Sequence, residues 1–416
     1  MKQDHEQRAR DAAEGVARQS YGKLVAYLAA RTRDVAGAED ALSDAFAAAI
    51  ADWRQNGIPD SPEAWLLAVA RRKTIDAVRR RRTGEAAADQ VKLMAEELDS
   101  APASDIPDER LALMFACAHP AIDANIRAPL ILQTILGFDA ASIASAFLIA
   151  PATMGQRLTR AKAKIKQAGI PFDVPERSEL HDRLDAVLAA IYAAFAEGWT
   201  DPAGAEARRR NLAGEALWLG RLVVTLLPDE PEALGLLALM LFAEARRPAR
   251  RNTDSDYVPL AEQDTALWDA TLMNEAETLL LRASRMGVIG RYQLEAAVQS
   301  AHGVRRLTGA ADWAAIEQLY DALLAMTGSP VVAINRAVAV AETQGPAAGL
   351  AALDALGDDA RLAEYQPYWA ARAGLLTRMG DAQAAGHAYK RAIGLESDPA
   401  VRRFLQSRQS KLKATR

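Results

Sequence analysis

The sequence is poorest in the residues that catalytic and metal chemistry usually need. Cys117 is the single cysteine among 416 residues, which excludes internal disulfides, thiolate zinc clusters and dithiol redox chemistry. That lone thiol reads as small core filler. The five histidines, His5, His119, His181, His302 and His387, are dispersed. None pairs with another at metal-ligand spacing, and none stands beside a nucleophile. His119-Pro120 reads as a helix terminator or turn. No glycine-rich loop with a following lysine is there to cradle a phosphate. An enzyme is therefore not expected, and no cofactor or metal is called for. Long apolar runs are missing too: nothing approaches the roughly 18 residues of a membrane span. The N-terminal stretch MKQDHEQRARDAAEGVARQ is charged throughout and lacks a signal peptide's apolar core. A cytoplasmic protein with no membrane partner is expected.

What the chain does have is alanine and charge. Apolar residues make up 50% and charged residues 25%, the balance of a globular protein. At roughly 150 residues per domain the length allows about three folding units. Alternating β-branched patterns are scarce, while apolar residues recur at spacings of three and four, so the fold class expected is all-α. Turn formers and acids cluster at 54–62 (RQNGIPDSP), 83–107 and 169–178 (GIPFDVPERS). The second and third clusters read as domain boundaries.

The net charge of -4 and pI near 5.9 argue against a surface coated with nucleic acid. Charge is informative only locally. Segment 71–82, RRKTIDAVRRRR, sets seven basic residues against Asp76. Segment 157–166, RLTRAKAKIK, carries Arg157, Arg160, Lys162, Lys164 and Lys166 with no acid. Around the second segment, Asp139 is placed to cap a short helix reaching about Phe147, Leu148 to Ala150 make a turn, and Pro151 suits the first position of the next helix. This is helix-turn-helix spacing, with Ala144 as the small residue that lets the two helices cross. Met154, Leu158, Ala161 and Ile165 make one buried stripe, and Thr153, Gln156, Arg157 and Arg160 project from the other face. In such a motif the second helix enters the major groove, which places Thr153, Gln156 and Arg157 at base edges and Lys162, Lys164 and Lys166 at phosphates. The plainer reading is a helical hairpin with a solvated basic face.

Two more helices complete the pattern. PEAWLLAVARRKTIDAVRRRR opens at Ser61-Pro62 and ends in Arg79, Arg80, Arg81 and Arg82, more cation than the C-terminus of a helix dipole asks for. Trp65 falls in its apolar stripe and reads as core. Before it, AEDALSDAFAAAIADW (38–53) spaces Leu42, Phe46 and Ile50 by four and puts Asp40 and Asp44 one turn apart. Like charges at that spacing oppose a helix by about 0.2–0.5 kcal/mol, so a cationic partner explains them better than stability does. A solvated acidic face is the commoner meaning of such a pair.

The order of these parts, an acidic amphipathic helix, a tryptophan-bearing basic helix, an acidic linker and a helix-turn-helix, resembles the two conserved domains of extracytoplasmic-function RNA polymerase sigma factors of the sigma-70 family. The likeness continues through DERLALMFACAHPAI (108–122), FAEGW (195–199), ARRPAR (245–250) and SPVVAINRAVAVAE (329–342), which resemble the subgroup that carries a C-terminal tetratricopeptide-like extension. It implies a region 2 helical bundle over 1–85, a linker over 86–107, a region 4 helix-turn-helix over 108–170 and a helical tetratricopeptide-like array over 178–416. The partners implied are core RNA polymerase, through its β′ and β subunits, and promoter DNA. A protein regulator acting through the extension is a further candidate. By position, Asp40, Asp44 and Phe46 face polymerase, and the loop Gln55 to Asp60, with Asn56, holds a flipped promoter base. Arg79 to Arg82 follow the backbone, and Thr153, Gln156, Arg157, Arg160 and Lys164 bind the upstream element.

The chain departs from that subgroup's F-N-E-G-Y pattern at Ala196 and Trp199. Its clearest repeat-like unit is 365–396, where Gly380, Ala384, Tyr389 and Ala392 fall at the small and aromatic packing positions of a tetratricopeptide hairpin. A free-standing helix-turn-helix regulator with a helical-repeat interaction domain would explain 137–169, but it leaves the helices at 38–53 and 71–82 without a task. A tetratricopeptide adaptor would explain the C-terminal half alone.

Overall fold

The computed structural model describes residues 2–81, 108–146, 149–199, 207–357 and 360–414. They are helical nearly throughout. No strand occurs among them, only an isolated bridge between Arg251 and Tyr257. Two compact units result: Met1–Gly198 with Ala207–Leu219, and Trp199–Glu206 with Gly220–Arg416.

The first unit opens with α1 (Lys2–Thr32), α2 (Val35–Asn56) and α3 (Pro62–Arg81). Asp34 starts α2 by accepting the Gly37 N–H, and Gly57 ends it at φ +89, returning its own N–H to the Trp53 carbonyl. The three helices share one apolar interior: Leu24, Val25 and Leu28 meet Leu42, Ala45 and Trp53 from α2 and Leu66, Leu67 and Ala70 from α3. Trp65 is half-buried and packs edge-on against the buried Trp53 with ring centroids 5.5 Å apart, which places it at the margin of this core.

After residue 108 come α4 (Arg110–Cys117), α5 (Ala124–Leu136), α6 (Ala140–Ala146) and α7 (Pro151–Gln167). His119-Pro120 does sit in the turn between α4 and α5. Cys117 is fully buried, 3.6 Å from the Thr134 hydroxyl, and burial pushes its thiol up to about 12. It is core filler. Helix α1 packs on both α4 and α5, and the contact is close: a Cβ on Gly22 would lie 1.8 Å from the Ile135 carbonyl oxygen. Only glycine fits there.

Helices α8 (Arg177–Trp199) and α9 (Ala207–Leu226) follow. Arg110, 9% exposed, explains how α9 is tied to α4. Its guanidinium bonds Asp108 at 2.9 Å and Glu215 at 2.5 Å and lies over the Trp218 ring at 4.3 Å. The first unit thus holds α8 to Gly198 and α9 to Leu219 in addition to the helices before residue 170.

The second unit is a succession of paired helices: α10 (Pro231–Ala245), α11 (Ala270–Ser284), α12 (Arg291–Gly303), α13 (Trp313–Thr327), α14 (Pro330–Thr343), α15 (Pro346–Asp354), α16 (Gln366–Arg378), α17 (Ala382–Leu395) and α18 (Pro399–Ala414). Most pack against the next in order. In the unit at 365–396, α16 and α17 form a hairpin. Gly380 supplies the turn at φ +83, Asp381 caps α17 through the Ala384 N–H, and Ala385, Ala388, Tyr389 and Ala392 are buried. Gly380 serves the turn, not the helix contact. No described helix is long and apolar enough to cross a membrane.

Candidate nucleic-acid interface

The helix-turn-helix forms as its spacing implies. Asp139 accepts the Ala141 N–H at the start of α6, and Pro151 takes the first turn of α7. Residues 147 and 148 of the intervening turn lie outside the described residues. Met154, Leu158, Ala161 and Ile165 are buried, and Ala144 is fully buried where α6 and α7 pack. On the opposite face Thr153, Gln156, Arg157, Arg160 and Lys164 are all exposed. Three of them converge. Arg157, Arg160 and Lys164 line a groove of about 350 Å³ with Ile122, Asp123, Asn125, Ile126 and Ala161. Asp123 caps α5 there by accepting the Asn125 N–H.

Lys162 and Lys166 behave differently from the phosphate anchors expected. Each follows a buried residue by one position, about 100° around the helix from the stripe, and that rotation turns both toward α2. Lys162 Nζ sits 2.6 Å from Glu39, both side chains under one-fifth exposed, and Lys166 pairs with Asp34. The pairs therefore hold the helix-turn-helix to the helix that opens at Asp34. Burial raises the Glu39 carboxyl above its usual range even though Lys162 pulls it down, so desolvation outweighs the attraction. These acids are missed in the sequence because Glu39 and Asp34 lie 123 and 132 residues away from their lysines.

On α2 itself Asp40 and Asp44 are exposed and Phe46 is half-buried. The cation that the acidic pair asked for is in part intramolecular: Lys73 of α3 approaches Asp44 at 3.7 Å, with both side chains well exposed. Asn56 ends α2 exposed, its Nδ2 donating to Asp52 at 2.8 Å. The loop beyond it also presents Ile58, 45% exposed. Along α3, Arg71 donates to the Tyr27 hydroxyl at 2.5 Å, while Arg72 and Lys73 remain exposed. Arg79, Arg80 and Arg81 continue the helix, but their side chains lie outside the described residues, as does Arg82 altogether.

In the second unit, Trp199 meets the arginines of ARRPAR. Arg247 and Arg250 approach the Trp199 ring at 4.9 and 4.3 Å, and Arg250 Nη1 donates to the Trp199 carbonyl at 2.7 Å. The tryptophan that replaces the expected tyrosine is thereby clasped by two guanidinium groups.

Helices α1 to α3 carry the class of the protein. Residues 16–83 match sigma-70 region 2, and that match supports a sigma-70 family role in transcription initiation with binding to core RNA polymerase. Over its length it belongs to the same family as Uncharacterized protein R00370 of Rhizobium meliloti (strain 1021), to which it is 37% identical over 405 residues, covering 95% of this chain and 94% of that one. Residues 183–284 match a family of unknown function, DUF6596. No solved structure matches the chain.

Proposed function

We propose that this sigma-70 family protein is of the extracytoplasmic-function type, with region 4 over 108–170 reading the upstream promoter element and the chain beyond 178 regulating it in cis. The observation that carries the region 4 reading is the two-faced α7: a buried stripe of four residues opposite exposed Thr153, Gln156, Arg157, Arg160 and Lys164. Thr153, Gln156 and Arg157 read base edges, while Arg160 and Lys164 contact phosphates. In region 2, Asp40, Asp44 and Phe46 face the β′ subunit, Asn56 and its loop hold an unstacked base, and Arg79 to Arg82 track the melted strand. The extension is a tetratricopeptide-like array, supported by the α16–α17 hairpin.

The ion pairs of Lys162 and Lys166 add a closed state to this reading. Region 2 and region 4 read separate promoter elements, so region 4 must leave α2 before both elements are engaged. Binding of core polymerase opens the pairs. The test of promoter reading compares two variants in transcription from a panel of upstream elements. Arg157→Ala relaxes preference at one or two positions, by about 1–3 kcal/mol, whereas Lys164→Ala weakens all promoters alike. Equal, sequence-independent losses in both would overturn the orientation given to α7.

A further inference from the structure

Within the second unit, α12, α13 and α14 stand around a cavity of about 490 Å³, inside the roughly 300–1,000 Å³ usual for small-molecule sites. Its walls are aromatic: Trp268, Trp313 and Tyr320 line it together with His302. His302 lies edge-on to Trp313 with ring centroids 5.3 Å apart. Arg305 also lines the cavity, its guanidinium carbon 5.3 Å from the Trp268 ring centroid. Beside the same ring is Arg246, which is 8% exposed and donates to the Gln299 side chain at 2.5 Å.

The charge balance of this cavity is one-sided. Arg305 lines it, Arg246 stands behind its Trp268 and Gln299 walls, and among the described lining residues there is no Asp or Glu. Arg246 Nη1 and the Trp268 indole N–H are buried and find no hydrogen-bond acceptor among the described residues. A buried, uncompensated cation is strongly unfavourable unless an anion arrives to balance it. The field is strong enough to act on the histidine: burial, reinforced by Arg246 and Arg305, pushes His302 down to about 4. The imidazole is thus neutral near pH 7 and adds a flat wall without a third positive charge.

We propose that this cavity binds an aromatic carboxylate, its ring against the tryptophan walls and its single negative charge compensating Arg305 and Arg246. A monoanion fits better than a phosphate. Arg305 already gives its two Nη groups to the carbonyls of Leu260 and Gln263, leaving few donors for a dianion, and the apolar walls penalise a second charge. The inference stands on the second unit alone and is independent of how the first unit reads DNA.

The test is calorimetric titration of the full chain with indole-3-acetate, salicylate and 1-naphthoate. Their carboxamides serve as neutral counterparts and acetate as the ringless anion. The expected result is saturable one-site binding of at least one aromatic carboxylate, with its carboxamide weaker by about tenfold or more and no saturation by acetate. Ala310 is an exposed residue on the cavity's rim, so Ala310→Trp blocks the entrance without disturbing the core. It abolishes the binding while the ligand-free chain melts as before. Three outcomes overturn the proposal: carboxylate and carboxamide binding alike, binding that survives Ala310→Trp, or no saturable binding by any of the three carboxylates.

Discussion

Replacing Lys162 by methionine keeps the aliphatic stem and removes only the charge, which isolates what the pair with Glu39 contributes. At 2.6 Å and with 12% and 16% side-chain exposure, the two charges attract by roughly 6 kcal/mol at an effective dielectric of about 20. Burial consumes most of this, since the Glu39 carboxyl is raised by desolvation despite its lysine. Without Lys162 the carboxylate either remains charged and unpaired or takes up a proton. Protonating it at pH 7 from an ordinary value of 4.5 costs about 3 kcal/mol, and that sets the ceiling. The expected loss for Lys162→Met is therefore about 1–3 kcal/mol at pH 7. At pH 5 the same ceiling falls below about 1 kcal/mol. The sign follows from linkage: a folded carboxyl raised above its unfolded value destabilises as pH rises past the unfolded value, and not below it. Urea unfolding of the single variants and of Lys162→Met with Glu39→Gln, at both pH values, measures this. The double variant should recover most of the loss at pH 7. Equal losses at pH 5 and pH 7, or strictly additive singles, would refute the docking of α7 on α2.

Reversing Asp40 and Asp44 to Arg is expected to abolish assembly with core polymerase in a pull-down while shifting the melting temperature little, because the Asp44–Lys73 pair is exposed and long at 3.7 Å. His302, held near 4 against an ordinary 6.5, contributes stability that is full above about pH 6.5 and is lost as pH falls toward 4. Its shift corresponds to about 3 kcal/mol, and His302→Gln should flatten the urea-midpoint profile across that window. A chain cut after Gln167 loses Glu215 and Trp218, leaving Arg110 with Asp108 alone. Its remaining helices should therefore melt lower than in the full chain, by calorimetry.

How far the sequence carries depends on the range of each interaction. The helix-turn-helix is legible because its signals are local: Asp139 caps, Pro151 starts, and Met154, Leu158, Ala161 and Ile165 repeat at helical spacing. The contact of Trp65 with the core is legible for the same reason. Lys162 and Lys166 are not legible, because a basic run says which residues are charged but not which acids, a hundred residues distant, will meet them. The clasp of Trp199 by Arg247 and Arg250 is hidden likewise: both motifs stand out, but nothing local joins residues about 50 apart. The cavity of the second unit draws its walls from several helices and a connecting segment between 260 and 338, and no periodicity within one helix announces it. Gly380 falls at a packing position by spacing, yet its backbone at φ +83 makes it a turn residue.

The measurement that bears most directly on the reading as a sigma factor is gel filtration of the full chain with core RNA polymerase, followed by initiation from promoter DNA. The expected result is a stable one-to-one complex that starts transcripts at a defined position, which neither core nor the chain does alone. Binding to duplex DNA without any association with core polymerase would contradict it and leave a free-standing helix-turn-helix regulator in its place.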